Sequence, residues 1–88
     1  MKKIFIVYVY DIKKELIYND KKNYNTIKTI FYKKLNKLKE KTIFYQTNSK
    51  SMLIVPIEYI DTFDHFFKNF KKWVVVFKII TEEIYELN

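Results

Sequence analysis

Apolar residues recur along this chain with two periods, and the changes from one period to the other mark out its elements. Residues 3–10 hold an unbroken run of β-branched and aromatic side chains that opens at Ile4 and closes at Tyr10. Such a run reads as a buried, central strand, with Asp11 ending it. Residues 13–23 are polar and lysine-rich around Asn19 and Asp20, which predicts a loop with one short turn at 16–18, docked locally by Leu16 and Ile17. Asn23 or Asn25 can cap the helix that follows, where Ile27, Ile30, Phe31, Leu35 and Leu38 return at helical spacing. Two β-rich runs, 42–46 and 51–55, flank Thr47, Asn48, Ser49 and Lys50, whose side chains suit a hairpin loop. Pro56 stops the second run, and a second helix begins near 57–59 with Ile60, Phe63, Phe67 and Phe70 as its buried stripe. Its charges complement the helix dipole, with Glu58, Asp61 and Asp64 early and Lys68, Lys71 and Lys72 late. Residues 73–80 form the last core strand. One face carries Trp73, Val75, Phe77 and Ile79, the other Val74, Val76, Lys78 and Ile80.

These elements make an α+β chain, a single βαββαβ two-layer sandwich over 1–88 with an antiparallel sheet. Two helices cover one sheet face only, so apolar residues on both faces of the outer runs predict a second surface packed on the open face. A homodimer is the simplest cover. The acidic segment 81–88 carries Ile84 and Leu87, and either adds a strand to a partner or ends as a short helix.

Size and composition narrow the function. Eighty-eight residues give a core only just large enough to fold alone, which oligomerisation would help. Without cysteine there is no disulfide framework, thiolate metal site, iron–sulfur cluster or cysteine nucleophile, and a cytoplasmic location fits best. Lys2 and Lys3 before a short apolar run look like the start of a signal sequence, but no small-residue cleavage site follows and no apolar run nears the roughly 20 residues that cross a bilayer. The net charge is +7, all 17 basic residues are lysine, and glycine is missing. Lysine meets phosphate as a point charge without arginine's planar fork, so affinity without strong base selectivity is expected. Missing glycine excludes a P-loop, a dinucleotide fingerprint and the glycine-bearing RNA-recognition motif. An AT-rich genome would also enrich lysine, asparagine, isoleucine and tyrosine.

Few residues offer reaction chemistry. His65, the only histidine, falls mid-helix between Asp64 and Phe66, an unpromising place for a catalytic triad. Asp11 stands at the carboxyl end of the central strand beside the lysine-rich stretch. It reads either as a strand terminator bonded to nearby backbone or as a magnesium ligand, since that cation accepts one or two carboxylates and keeps several waters. Lys33, Lys37 and Lys41 fall four apart on one helix face, either a solvated stripe or a phosphate track. Lys13 and Lys14 add to the candidates for nucleic-acid contact.

Taken in order, Ile6-Val7-Tyr8-Val9-Tyr10-Asp11-Ile12, a basic first helix, Tyr45-Gln46 leading into a hairpin with Ser49 or Ser51, a second helix, and Val74-Val75-Val76-Phe77 resemble the CRISPR-associated protein 2 family, to which the virulence-associated protein D toxins are related. The likeness covers most of the chain in element order, and the Tyr-Asp-Ile ending of the first strand is its recognisable motif. It implies a ferredoxin-like homodimer that joins the CRISPR integrase in spacer acquisition and holds duplex DNA, more than RNA, across a basic surface; Lys13, Lys14, Lys33 and Lys37 are the candidates here. It also implies magnesium-dependent nuclease activity with Asp11 as metal ligand and catalytic residue. The chain differs from the family in its stretch 13–23 and in having Ser51-Met52-Leu53 in place of Ser-Val-Phe, differences that bear on nuclease activity more than on fold. Three functions therefore compete: a nucleic-acid-binding scaffold, a metal-dependent endonuclease or ribonuclease toxin, and a non-catalytic interaction module. An acylphosphatase would need an arginine and a ferredoxin its cysteines. Lipid binding would need an apolar helix face separate from the core stripes.

Overall fold

The strongest β-former in the sequence becomes the centre of the sheet. In the computed structural model, which describes residues 3–41 and 51–82, β1 (Phe5–Ile12) pairs antiparallel with β2 (Met52–Pro56) on one side and β3 (Val74–Thr81) on the other. Helices α1 (Lys14–Asn19) and α2 (Tyr24–Lys41) connect onward from β1, and a short 3-10 turn leads from β2 into α3 (Ile60–Asn69). The architecture is α+β, a three-stranded antiparallel sheet with helices. The expected strand 42–46 and hairpin loop 47–50 lie outside the described residues, as does most of the acidic segment 81–88.

Alternation along β1 sorts its side chains. Ile6, Tyr8 and Tyr10 are buried under the helices, and their register partners Val55, Leu53 and Val76 face the same way. Phe31 and Leu35 of α2 and Phe63, Phe66, Phe67 and Phe70 of α3 close over them. Tyr8 stacks on Phe67 at 5.1 Å, while Phe31 meets Phe66 at 5.1 Å and Phe70 edge-on at 5.2 Å. Each such pair adds about 0.5–1.5 kcal/mol beyond the area it buries. The other face carries Phe5, Val7, Val9 and Asp11 from β1, Met52 and Ile54 from β2, and Val75, Phe77 and Ile79 from β3.

Three details differ from the sequence reading. Asp11 does not end β1: Asp11 pairs with Val75 and Ile12 with Val74, and Lys13 N donates to Trp73 O at 2.7 Å. A distant strand, not local turn chemistry, sets that boundary. Residues 14–19 are helical where a loop was expected, because Ile17 is completely buried and anchors the turn. The helix ends through Lys21 at φ 58°, a left-handed conformation that costs a residue with a Cβ about 1–2 kcal/mol and that a glycine-free sequence cannot avoid by substitution. As expected, Pro56 stops β2: it is the strand's last residue, opposite Phe5, and since it has no N–H the next donor, Ile57 N, bonds to Ile4 O at 3.0 Å. The helix stripes also differ at one position each, Ile30 being exposed where it was expected in the core and Phe66 buried where it was not expected. Asn23 caps α2, its Oδ1 accepting from Thr26 N at 3.1 Å.

Among the described residues no helix is long and apolar enough to cross a membrane.

Candidate functional site

Asp11 and its neighbours form the first candidate. As β1 alternates, Asp11 points to the sheet face away from the helices, at the end of the row Phe5, Val7, Val9. Its side chain is 67% exposed and bonds Lys13 Nζ at 2.8 Å, two residues on and therefore on the same side of the strand. The hydrogen bond and charge of Asp11 raise the Lys13 ammonium above its ordinary value. The expected backbone-bonding role is replaced by an ion pair. A cation entering at Asp11 would have to displace Lys13, and among the described residues no three His, Cys, Asp or Glu side chains gather as a metal site.

The other lysines are distributed around the helical layer. Lys14 opens α1 and lays its Nζ over the Tyr24 ring at 4.8 Å, with Lys28 approaching the same ring at 5.7 Å. Lys33 and Lys37 are exposed on one face of α2, about 6 Å apart along its axis, and neither forms an ion pair among the described residues. The fold thus joins Lys13 to Asp11 and Lys14 to Tyr24, and leaves Lys33 and Lys37 as open cations further along α2.

A third constellation went unread in the sequence. Tyr8, 1% exposed, reaches out of the core so that its hydroxyl donates to Asp64 Oδ1 at 2.8 Å, and Lys78 Nζ bonds Asp64 Oδ2 at 2.8 Å. Burial first, then the bond and charge of Asp64, push the Tyr8 phenol far above its ordinary value, so it holds its proton and acts as a donor. Burial also works to raise the Asp64 carboxyl, but the bonds from Lys78 and Tyr8 and the Lys78 charge outweigh it and hold the group below the usual carboxylate range. The signal for this network was Lys78 itself, a cation at the centre of an otherwise apolar strand face. His65 lies exposed on α3.

The open sheet face is the largest feature. Phe77 is 68% exposed and Ile79 56%, with Val9 and Val75 beside them, while Ile54 of β2 on the same face is buried, so the apolar second face expected from the sequence is present and its β1–β3 side is open among the described residues. Comparison with protein-family models, with curated proteins and with solved structures gives no match to this chain.

Proposed function

We propose that this protein is a nucleic-acid-binding homodimeric scaffold resembling the CRISPR adaptation subunit, cytoplasmic, and able to join an integrase. The observation that carries the reading is the open sheet face. Three strands about 4.8 Å apart, with eight residues rising about 3.4 Å each, present at most about 400 Å² in plan, the size of the largest apolar patch on an ordinary monomer, which is often a functional surface. A second copy offers the same surface and covers it through two-fold symmetry. The finer fold in this reading is a ferredoxin-like βαββαβ sandwich. The strand order β2-β1-β3 with antiparallel neighbours fits three of its strands; the run 42–46, expected as the fourth, and most of the segment 81–88, a candidate for an added strand, lie outside the described residues.

Lysine supplies the rest. Lys33 and Lys37 stand open on α2, and Lys14 is held at its N-terminal end by Tyr24. A row of point charges favours duplex backbone over base edges. In this reading Asp11 restrains Lys13 at the rim of the face. A magnesium nuclease is the weaker alternative, because the Asp11 carboxylate already has a cationic partner.

The two halves of the proposal respond to salt with opposite signs. Each protomer carries +7, so self-association through an apolar face gains as salt screens the repulsion, whereas duplex binding weakens by about 0.9 in log K per log salt for each phosphate neutralised. Sedimentation and duplex titration of the full chain across a salt series test both. Dimers that strengthen and complexes that weaken with salt are expected, and Lys33→Ala with Lys37→Ala should lower the binding slope by about 1–2. A monomer at every salt concentration, or a slope untouched by the double substitution, sinks the reading.

A further inference from the structure

α2 and α3 lie side by side over the sheet, and between them opens a cleft of about 530 Å³. Helical spacing builds its walls. On α2, Lys34, Lys37 and Leu38 follow i, i+3, i+4; on α3, Asp61, His65 and Asn69 follow i, i+4, i+8. Leu38 and the buried Phe66 supply an apolar floor. The Lys34 Nζ lies 5.8 Å from the centre of the Phe70 ring, which keeps its charge at the cleft's Asn69 end. Neither Lys34 nor Lys37 has an ion-pair partner among the described residues.

The volume lies within the roughly 300–1,000 Å³ typical of small-molecule sites, which combine an apolar lining with a few convergent polar groups. Two cations without an ion pair among the described residues call for an anion, the floor of Leu38 and Phe66 for a flat or apolar body, and the Asp61 carboxylate on the far wall for a hydroxyl or amine donor. One ligand unit carries all three in a single rigid frame. We infer that the α2–α3 cleft binds a nucleoside monophosphate, free or as the phosphorylated end of a strand. The phosphate sits at Lys34 with the Asn69 amide and a His65 ring N–H as further donors, the base lies on Leu38 and Phe66, and Asp61 accepts from a ribose hydroxyl. A helical acidic peptide fits less well, because its carboxylates would face Asp61 on the far wall with like charge. The site lies on the helical layer, away from the open sheet face, and does not rest on dimerisation or duplex binding.

The test is an amide-resolved NMR titration of the full chain at low salt with adenosine monophosphate, adenosine, inorganic phosphate and a glutamate-rich peptide. Adenosine monophosphate should move the amides of residues 34–38 and 61–69 and bind about tenfold tighter than adenosine or phosphate alone. Lys34→Gln should weaken it about tenfold with the rest of the spectrum unchanged; Lys34 is chosen because Lys37 also belongs to the lysine stripe. Lys28→Gln, on the same helix and outside the cleft, should leave it unaltered. A 5′-phosphorylated oligonucleotide binding tighter than its 5′-hydroxyl form and than the mononucleotide assigns the site to strand ends; equal affinity of phosphorylated strand and mononucleotide assigns it to free nucleotide. No shift at the cleft amides up to about 10 mM, a Kd beyond any specific site, overturns the inference. So do equal responses to phosphate or the peptide, or an unchanged affinity in Lys34→Gln.

Discussion

Replacing Tyr8 by Phe removes one oxygen from the boundary between core and surface, and the surroundings of that oxygen fix the cost. The Tyr8 hydroxyl has one proton and two acceptors within reach, Asp64 Oδ1 at 2.8 Å and Ile60 O at 3.4 Å. The shorter bond, to an ionised carboxylate, takes it. Hydrogen bonds to charged groups contribute about 1.5–3 kcal/mol when their loss strands the partner. Asp64 is not stranded, since Lys78 remains at 2.8 Å and its side chain is 39% exposed to water, so the lower end, about 1–1.5 kcal/mol, is expected. In a domain of this length each kcal/mol moves Tm by about 4–8 °C, giving a loss of about 5–10 °C. The ring packing on Phe63 and Phe67 survives the change. The pH dependence follows from Asp64, whose folded-state value is held down. Stability from a depressed carboxyl is fully present above its unfolded value, about 3.9, and is lost as pH falls through the lower folded value. The penalty of Tyr8→Phe should therefore be largest at neutral pH and shrink to about 0.5 kcal/mol, the low end for a neutral–neutral bond, once Asp64 is protonated. Urea denaturation of wild type, Tyr8→Phe, Lys78→Met and the double variant at pH 7 and at low pH reads this directly, as coupling between Tyr8 and Lys78 through their shared acceptor. A Tyr8→Phe penalty equal at both pH values, or none at pH 7, refutes the assignment of the hydroxyl to Asp64.

Phe77→Lys places a charge at the most exposed aromatic of the open face and should yield a monomer at micromolar concentration with unchanged far-UV circular dichroism; a sedimentation profile like that of wild type counts against the sheet-face dimer. Asp11→Asn releases Lys13 from its 2.8 Å pair, so duplex binding should tighten at low salt and its salt slope steepen by up to about 0.9. Loss of affinity in that variant would mean that the Asp11 carboxylate itself contributes to binding. Asn23→Ala removes the acceptor for Thr26 N and should cost about 1 kcal/mol in chemical denaturation, with no effect if the cap is idle in solution.

Periodicity and composition determined most of the framework: a central β-branched strand, two amphipathic helices, a last strand apolar on both sides, and therefore a sheet with a second apolar face. These are properties of neighbours in the chain, repeating every second or every third and fourth residue, and a local rule can read them. What the tertiary structure decided lies between residues far apart. Ile30 and Phe66 each sit at the flank of a helical stripe, and identical local logic applies to both. Phe66 is buried because α2 lies alongside and brings Phe31 to 5.1 Å, whereas Ile30 is left 41% exposed. The helix at 14–19 exists because a single isoleucine, Ile17, found a place in the core, and one apolar residue makes no period. Asp11 lies inside β1 because β3 runs on beside it to the Ile12–Val74 pair. The Tyr8–Asp64–Lys78 network joins residues 56 and 14 positions apart. Only the register of β1 against β3, with α3 packed above both, brings a phenol, a carboxylate and an ammonium together, because a hydrogen bond reaches about 3 Å and nothing in the local sequence says which distant group will come that close.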